Sequence, residues 1–258
     1  MNILVALKAV PLVGDERLDD AWRTQRGQLE ANGADEYLLE RAIQLTEDGD
    51  GEVSVLTVGP AGAAEAVRKA LAMGAARAYH VSDDAAAGSD IRATVDLIVA
   101  AAGKIEFDLL FMGADSSDGQ GGVVGAAVAA RLRLPYLSNA ADVSAGETDG
   151  WVRVTRLSPS GHDVSAASMP AVVMGTQVLG EPRYPSLRGI MAARQKETIT
   201  WSLADIGIDA AGVGEGAATT AVTAAEPPPE RAGARVVEGT PDEAATELIA
   251  FLVERRVI

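Results

Sequence analysis

The sequence predicts an α/β fold: a doubly wound parallel sheet with an antiparallel extension and a C-terminal arm. Three observations carry that prediction. Apolar strand-like runs alternate with helical repeats from Asn2 to Leu134. Within them Leu109–Leu134, LLFMGADSSDGQGGVVGAAVAARLRL, passes from a buried-strand run through a small-residue loop into an Ala-rich helix. After Pro135 the pattern shortens into strand-like segments separated by Gly-containing turns, and beyond Trp201 the chain reads as an appendage. The expected division is therefore a domain over 1–200 and an extended arm over 201–258.

Taken in order, Asn2–Val10 (NILVALKAV) is apolar almost throughout, as a strand covered on both faces is. Lys8 stands at its C-terminal end. Pro11–Gln28 has no clear period and reads as a long loop or small excursion. A helix starts at Asn32-Gly33-Ala34-Asp35-Glu36, with acids in the first turn where the helix dipole favours them. Leu38, Leu39, Ala42, Ile43 and Leu45 follow on one face. Glu52–Val58 is the second strand, ended by Gly59-Pro60. Ala61–Met73 is a helix with Val67, Ala70, Leu71 and Ala72 inward, and Gly74 stops it. Arg77–Val81 is a third strand, Ser89–Gly103 a third helix and Asp108–Met112 a fourth strand. Right-handed crossovers assemble such units into one parallel sheet. Ala141–Ala145, Trp151–Leu157 and Asp163–Ser168 read as an antiparallel meander, and Ala171–Thr176 as a further apolar strand.

Composition narrows the function. The chain has 258 residues, 48% of them hydrophobic, with a formal net charge of −15 and no cysteine. A nucleic-acid binder needs a basic face, so that role is excluded, and an anionic membrane surface is disfavoured likewise. Without cysteine there are no disulfides, thiolate metal sites or cysteine nucleophiles. This fits a cytoplasmic protein. No basic stretch followed by a cleavable apolar run opens the sequence, and no apolar run reaches membrane-spanning length.

The loop Asp115–Gly122 is the chemical centre. Gly119, Gly121, Gly122 and Gly125 lead into a helix N-terminus, where free N–H groups and the dipole face an anion. The plainer reading is that these glycines only let helix and strand pack closely. Ligands of doubly wound sheets bind beyond the strand C-termini, at the switch in strand order. Lys8, Asn32, Val58-Gly59 and the Asp115–Gly122 loop all fall on that edge, which points to a nucleotide site of the adenine-binding, Rossmann-like kind. A second feature is Gly180–Lys196, where Arg183, Arg188, Arg194 and Lys196 follow Glu181 with no further acid. Leu187, Ile190 and Met191 lie among them. A basic loop with an apolar tip suits docking to an acidic surface. The competing reading is a solvated helix start whose leucine tucks into its own core.

Several stretches together resemble the β subunit of electron transfer flavoproteins. They are VALKAV, ADEYLLERAIQL, GPAGAAEAVRKALAMGAARAYHV, a tail with a Pro-Pro pair, and above all Met169–Lys196, MPAVVMGTQVLGEPRYPSLRGIMAARQK. The resemblance covers nearly the whole chain. It implies half of an αβ heterodimer that takes electrons from acyl-CoA dehydrogenases or related flavoenzymes. They pass to a quinone oxidoreductase or another acceptor. It implies FAD mainly on the α subunit, and AMP or a second FAD in this chain. The implied nucleotide residues are Ala6 with Lys8, Asn32, Val58, and Gln120-Gly121-Gly122 preceded by Asp118. Gly121 stands where the family usually has Thr. In the loop after Pro182-Arg183-Tyr184, the resemblance implies docking through Arg183, Tyr184, Leu187 and Met191, with Leu187 entering an apolar pocket on the dehydrogenase.

In the tail, Ala210–Ala225 is rich in Ala, Gly and Thr and is not expected to pack a core. Pro227-Pro228-Pro229 reads as stiff and extended. Thr240 with Pro241 is a helix start, followed by an apolar stripe of Ala244, Leu248, Phe251 and Leu252. Resemblance carries this arm over the α subunit. The alternative from another class is a stand-alone adenine-nucleotide hydrolase or adenylating enzyme on the same fold. Ser160, His162 and Asp163 do not serve it, because neighbours on one turn cannot form a catalytic relay.

Overall fold

The computed structural model describes residues 1–15, 17–47, 49–226 and 236–258. They form two compact units, Met1–Thr223 and Ala224–Ile258. Pro227-Pro228-Pro229 lies outside the described residues.

The first unit is built on a nine-stranded sheet. Its elements in chain order are β1 (Asn2–Ala6), β2 (Ala9–Pro11), β3 (Leu29–Ala31), α1 (Gly33–Thr46), β4 (Glu52–Val58), α2 (Ala64–Met73) and β5 (Arg77–Val81). There follow α3 (Ile91–Ala102), β6 (Leu109–Gly113), α4 (Val124–Leu132), β7 (Tyr136–Ala145), β8 (Trp151–Ser158) and β9 (Gly161–Ser168). The last are β10 (Ala171–Gly175), α5 (Leu187–Ala193) and β11 (Thr198–Trp201). The second unit contains α6 (Pro241–Glu254).

The sheet order is β11-β5-β4-β1-β6-β10-β7-β8-β9. Pairing is parallel from β11 to β7 and antiparallel from β7 to β9. The chain winds outward from β1 through β4 to β5, then crosses back to lay β6 on the other side of β1. Helices cover both faces because the apolar strands demand it. Leu38, Leu39 and Ala42 of α1 and Val67, Ala70 and Leu71 of α2 pack on one face with Ile3, Val5 and Val55. Ala93, Val95 and Leu97 of α3 and Val128 and Ala129 of α4 pack on the other with Leu4, Leu56 and Leu110. The expected doubly wound sheet and its antiparallel extension are both present.

Three local expectations are corrected. The first strand leaves the sheet after Ala6, because the Lys8 amide turns to the Asp35 carboxylate rather than to a neighbouring strand. Ala9–Pro11 then pairs antiparallel with Leu29–Ala31 in a separate ribbon that closes the 11–28 excursion. The first meander strand is longer than expected. It begins parallel to β10 at Tyr136, shifts register near Ala140, and continues antiparallel to β8. Finally, Val213 is buried on the second core with Leu203 and Ile206, although a segment so rich in small residues was not expected to pack. Hydrogen bonds explain it. The Gly214 amide donates to Ser89 Oγ, Glu215 to the Ala87 carbonyl and Thr219 to Asp90, which straps 213–219 over the start of α3. Gly214 has φ +73°, and a Cβ there would sit 2.3 Å from the Ala85 carbonyl oxygen, so this glycine serves close packing.

Helix α6 opens with the expected cap. The Glu243 amide donates to Thr240 Oγ1 at 3.4 Å, and the Thr240 amide donates back to Glu243 at 2.8 Å.

Candidate nucleotide site and docking loop

The winding reverses between β1 and β6, so the loops leaving these strands flank the switch point. Ala6 ends β1, paired with Leu56 on one side and Met112 on the other. Val58 ends β4, and both Ala6 and Val58 face the α3–α4 side. The following turn is fixed by a bond of 3.1 Å between His80 Nε2 and the Gly59 carbonyl.

Lys8 reaches across the edge to the loop after β6. Its Nζ donates to Ser116 Oγ at 2.9 Å and to Asp118 at 2.6 Å. Asp118 also accepts from Arg26 at 3.2 Å, and Arg26 donates to the Ala9 carbonyl at 3.0 Å. The Asp118 side chain is only 2% exposed. Burial pushes its carboxyl up, but the bonds to Lys8 and Ser116 and the two cations outweigh it and hold it below the ordinary aspartate value. Lys8 and Arg26 thus both converge on the buried Asp118 carboxylate. Asn32 completes the clasp: its Nδ2 donates to the Asp115 carbonyl at 2.8 Å, and its Oδ1 accepts from the Ser117 amide at 3.3 Å.

The loop then presents backbone. Gln120 has φ +44° and Gly122 φ +64°, the left-handed region that turns amides toward one point. A Cβ at Gly121 would meet only the Ile91 side chain, at 3.6 Å, and one at Gly122 only the Ala114 carbonyl, at 4.0 Å, so both positions border open space. Helix α4 starts without a side-chain cap. Its first N–H groups and its dipole are available to an anion. Ala6, Lys8, Asn32, Val58, Asp118, Gln120, Gly121 and Gly122 therefore gather on one edge.

The residues expected to dock sit elsewhere, on the segment leading into α5 and on α5 itself. Arg183 is held inward. Its Nε and Nη2 donate to Glu40 of α1 at 2.7 and 2.9 Å, and its Nη1 donates to Glu47. Burial pushes Glu40 up, but Arg183 wins and holds it below the ordinary glutamate value. Farther along, Gly189 rests on α2, where a Cβ would sit 2.4 Å from the Ala72 carbonyl oxygen. Lys196 Nζ donates to the Leu71 and Ala75 carbonyls at 2.8 and 2.7 Å, capping the C-terminal end of the same helix. Pinned at three places, the segment turns Tyr184, Leu187 and Met191 outward, 89, 77 and 63% exposed. Leu187 does not tuck into its own core.

Arg183→Ala should leave Glu40 unpaired and lower stability by about 1–2 kcal/mol, less than for a fully buried pair because Arg183 is partly solvated. Thermal melts of wild type and variant check this. Because folding lowers the Glu40 pKa, its contribution is present above the unfolded glutamate value. It is lost as pH falls through the lowered one, so the two melts should converge in acid.

Comparison with known proteins identifies the family. Residues 23–206 match the family model of the electron transfer flavoprotein domain. The electron transfer flavoprotein subunit beta of Mycobacterium tuberculosis (strain ATCC 25618 / H37Rv) is 37% identical over 268 aligned positions, covering 100% of this chain and 99% of the relative. The subunit of the same name from Thermoanaerobacterium thermosaccharolyticum is 35% identical, with 100% of both chains covered. The chain belongs to the electron transfer flavoprotein β-subunit family. It is thus a subunit of an electron carrier rather than an enzyme in its own right. A third relative, the caffeyl-CoA reductase-Etf complex subunit CarD of Acetobacterium woodii, is 33% identical with 100% of both chains covered.

Sequence reasoning missed four members of these two constellations in this family member. Arg26 lies in the aperiodic excursion, where nothing marks one arginine among several. Asp35 reads as a dipole-compensating acid, and only the fold brings two strand ends onto it. Glu40 and Glu47 look like the solvated side of α1. Among the described residues there is no cluster of three or more His, Asp or Glu that could hold a metal, and no helix long and apolar enough to cross a membrane. Asp163 pairs with Arg156 at 2.8 Å, and Ser160 Oγ meets Ser158 Oγ at 3.0 Å, so the Ser160–His162–Asp163 turn has no relay geometry.

Proposed function

We propose that this chain is the β half of a heterodimeric electron transfer flavoprotein. It receives electrons from acyl-CoA dehydrogenase-type flavoenzymes and delivers them to a quinone oxidoreductase or comparable acceptor. The observation that carries the reading is the pairing, in one chain, of an open, glycine-lined backbone cradle with a pinned loop that turns an apolar tip outward. Of the acids that a stand-alone hydrolase or adenylating enzyme could use as a base, Asp118 and Asp35 are engaged by cations and amides.

The cradle takes an adenine nucleotide, either AMP or the AMP half of a second FAD. Gly121, Gly122 and the start of α4 would hold phosphate, Lys8 and Asn32 would fix the loop, and Ala6 and Val58 would border the base. FAD, when bound, supplies the redox chemistry, chiefly from the α subunit; the residues of this chain orient and shield it. The relative named for a complex with caffeyl-CoA reductase supports a flavoenzyme acting on CoA esters as the partner class. Helix α6 supports the arm reading, since Leu248, Ile249 and Val253 are all exposed on it. Covering Leu248, Phe251 and Leu252 with the α subunit would contribute on the order of 5 kcal/mol before ordering costs.

Co-expression with the neighbouring gene product, followed by chromatography of the released nucleotides, tests this. One FAD and one AMP per heterodimer is the result expected of an ordinary carrier. Two FAD identify a branch with a second flavin in this chain. A monomer without flavin under every pairing would overturn the reading.

A further inference from the structure

The carboxylate of Asp35 lies at the switch point, 4% exposed. Its Oδ2 accepts from the Lys8 amide at 2.8 Å and its Oδ1 from the Gly113 amide at 3.0 Å. These amides leave β1 and β6, the two strands between which the winding reverses. Space is reserved for the carboxylate: a Cβ on Gly113 would sit 2.2 Å from Oδ1. One turn earlier on the same chain, Asn32 holds the Asp115 carbonyl and the Ser117 amide. The first turn of α1 therefore grips both loops of the cradle.

We propose that Asp35 is a positioning residue for nucleotide binding: its ionised carboxylate clamps the ends of β1 and β6 together, and protonation opens the clamp. This rests on the nucleotide reading above. The chemistry is one of donors and acceptors. Both partners are N–H groups, so both oxygens must accept, and only the carboxylate is acceptor-only. At this burial, water does not replace a lost partner.

Burial pushes the Asp35 carboxyl up to about 7, against the pull of the Lys8 and Gly113 amides, Asn32 and the Lys8 charge. The charged groups around it are Lys8 at the end of β1, Asp115 and Asp118 in the loop, and Glu36 on α1, itself paired with Lys69 of α2. Lys8 is engaged by Asp118, so it offsets the Asp35 charge only in part. Two pH trends then run in opposite directions. The nucleotide selects the clamped form, so affinity rises through pH 7. Between pH 6 and 8 the ionised fraction grows roughly tenfold, and the apparent affinity with it. Stability moves the other way. The folded pKa lies above the unfolded one, so the contribution of Asp35 to folding is complete below the unfolded value. It is lost as pH rises through about 7. A residue that only held the fold would not separate these trends.

The test uses the full-length chain with its co-expressed partner, freed of resident nucleotide, and AMP as the probe. Titrations at pH 6 and pH 8 are compared with those of Asp35→Asn. The second ionisation of the AMP phosphate is common to both proteins and cancels. The wild type should gain roughly tenfold more affinity than the variant across this range. Parallel profiles, with AMP bound by both, would overturn the clamp and leave the nucleotide site standing. No AMP binding to wild type at any pH would overturn the site and the clamp together. Should Asp35→Asn fail to fold, wild type alone decides: the Lys8 and Gly113 amide resonances should titrate together with a midpoint near 7. Flat resonances would refute the proposal.

Discussion

Leu187→Ala should slow electron transfer from the proposed dehydrogenase partner by about thirtyfold or more, the loss expected for a central apolar anchor worth about 2 kcal/mol. Flavin content and melting temperature should not change, because an exposed side chain contributes within about 0.5 kcal/mol to folding. The loop is already held by Arg183, Gly189 and Lys196, so little ordering cost accompanies docking and the side chain's contact energy is expressed almost fully in binding. Stopped-flow reduction of the complex by the dehydrogenase is the measurement. A rate equal to that of wild type would remove Leu187 from the contact. Raising ionic strength should slow both proteins in parallel, since the basic residues of this segment act on encounter rather than on the anchor.

Gly113→Ala should be strongly destabilising. The added carbon would lie 2.2 Å from Asp35 Oδ1 and 3.1 Å from Ala34 Cβ. Neither neighbour gives way easily: the carboxylate is tied to two amides, and Ala34 is buried at the start of α1. A loss of about 2–4 kcal/mol is expected, or roughly 5–15 °C in melting temperature for a domain of this size. Bound nucleotide should fall with it. Gly121→Ala is the control, because its methyl would meet only Ile91 at an ordinary 3.6 Å. If the two alanine variants melt alike, the packing reasoning at the switch point fails.

Much of the architecture was legible because it rests on local patterns. The runs NILVA, EVSVLTV and LLFM are too apolar to lie anywhere but in a covered sheet, and all three are there. Gly74 ends α2 and Thr240 starts α6, as their chemistry requires. The edge of the candidate site was legible for the same reason: glycines and a strand end are local signals. What escaped was non-local. The four residues of β11 follow a charged stretch and carry no period long enough to recognise; they become a strand by lying beside β5, with Trp201 stacked on Tyr79 at 4.9 Å. Arg26 meets Asp118 across 92 positions, and Arg183 meets Glu40 across 143. No spacing rule reaches so far. Only the order of strands brings such residues together.

The three pins of the docking segment have an evolutionary corollary. Arg183, Gly189 and Lys196 all attach to α1 or α2, while Tyr184, Leu187 and Met191 touch little of their own protein. If this segment docks as proposed above, folding and partner choice are encoded at separate positions. A duplicated copy of this chain could then exchange its three outward residues and be readdressed to another flavoenzyme without first acquiring a compensating mutation in the core.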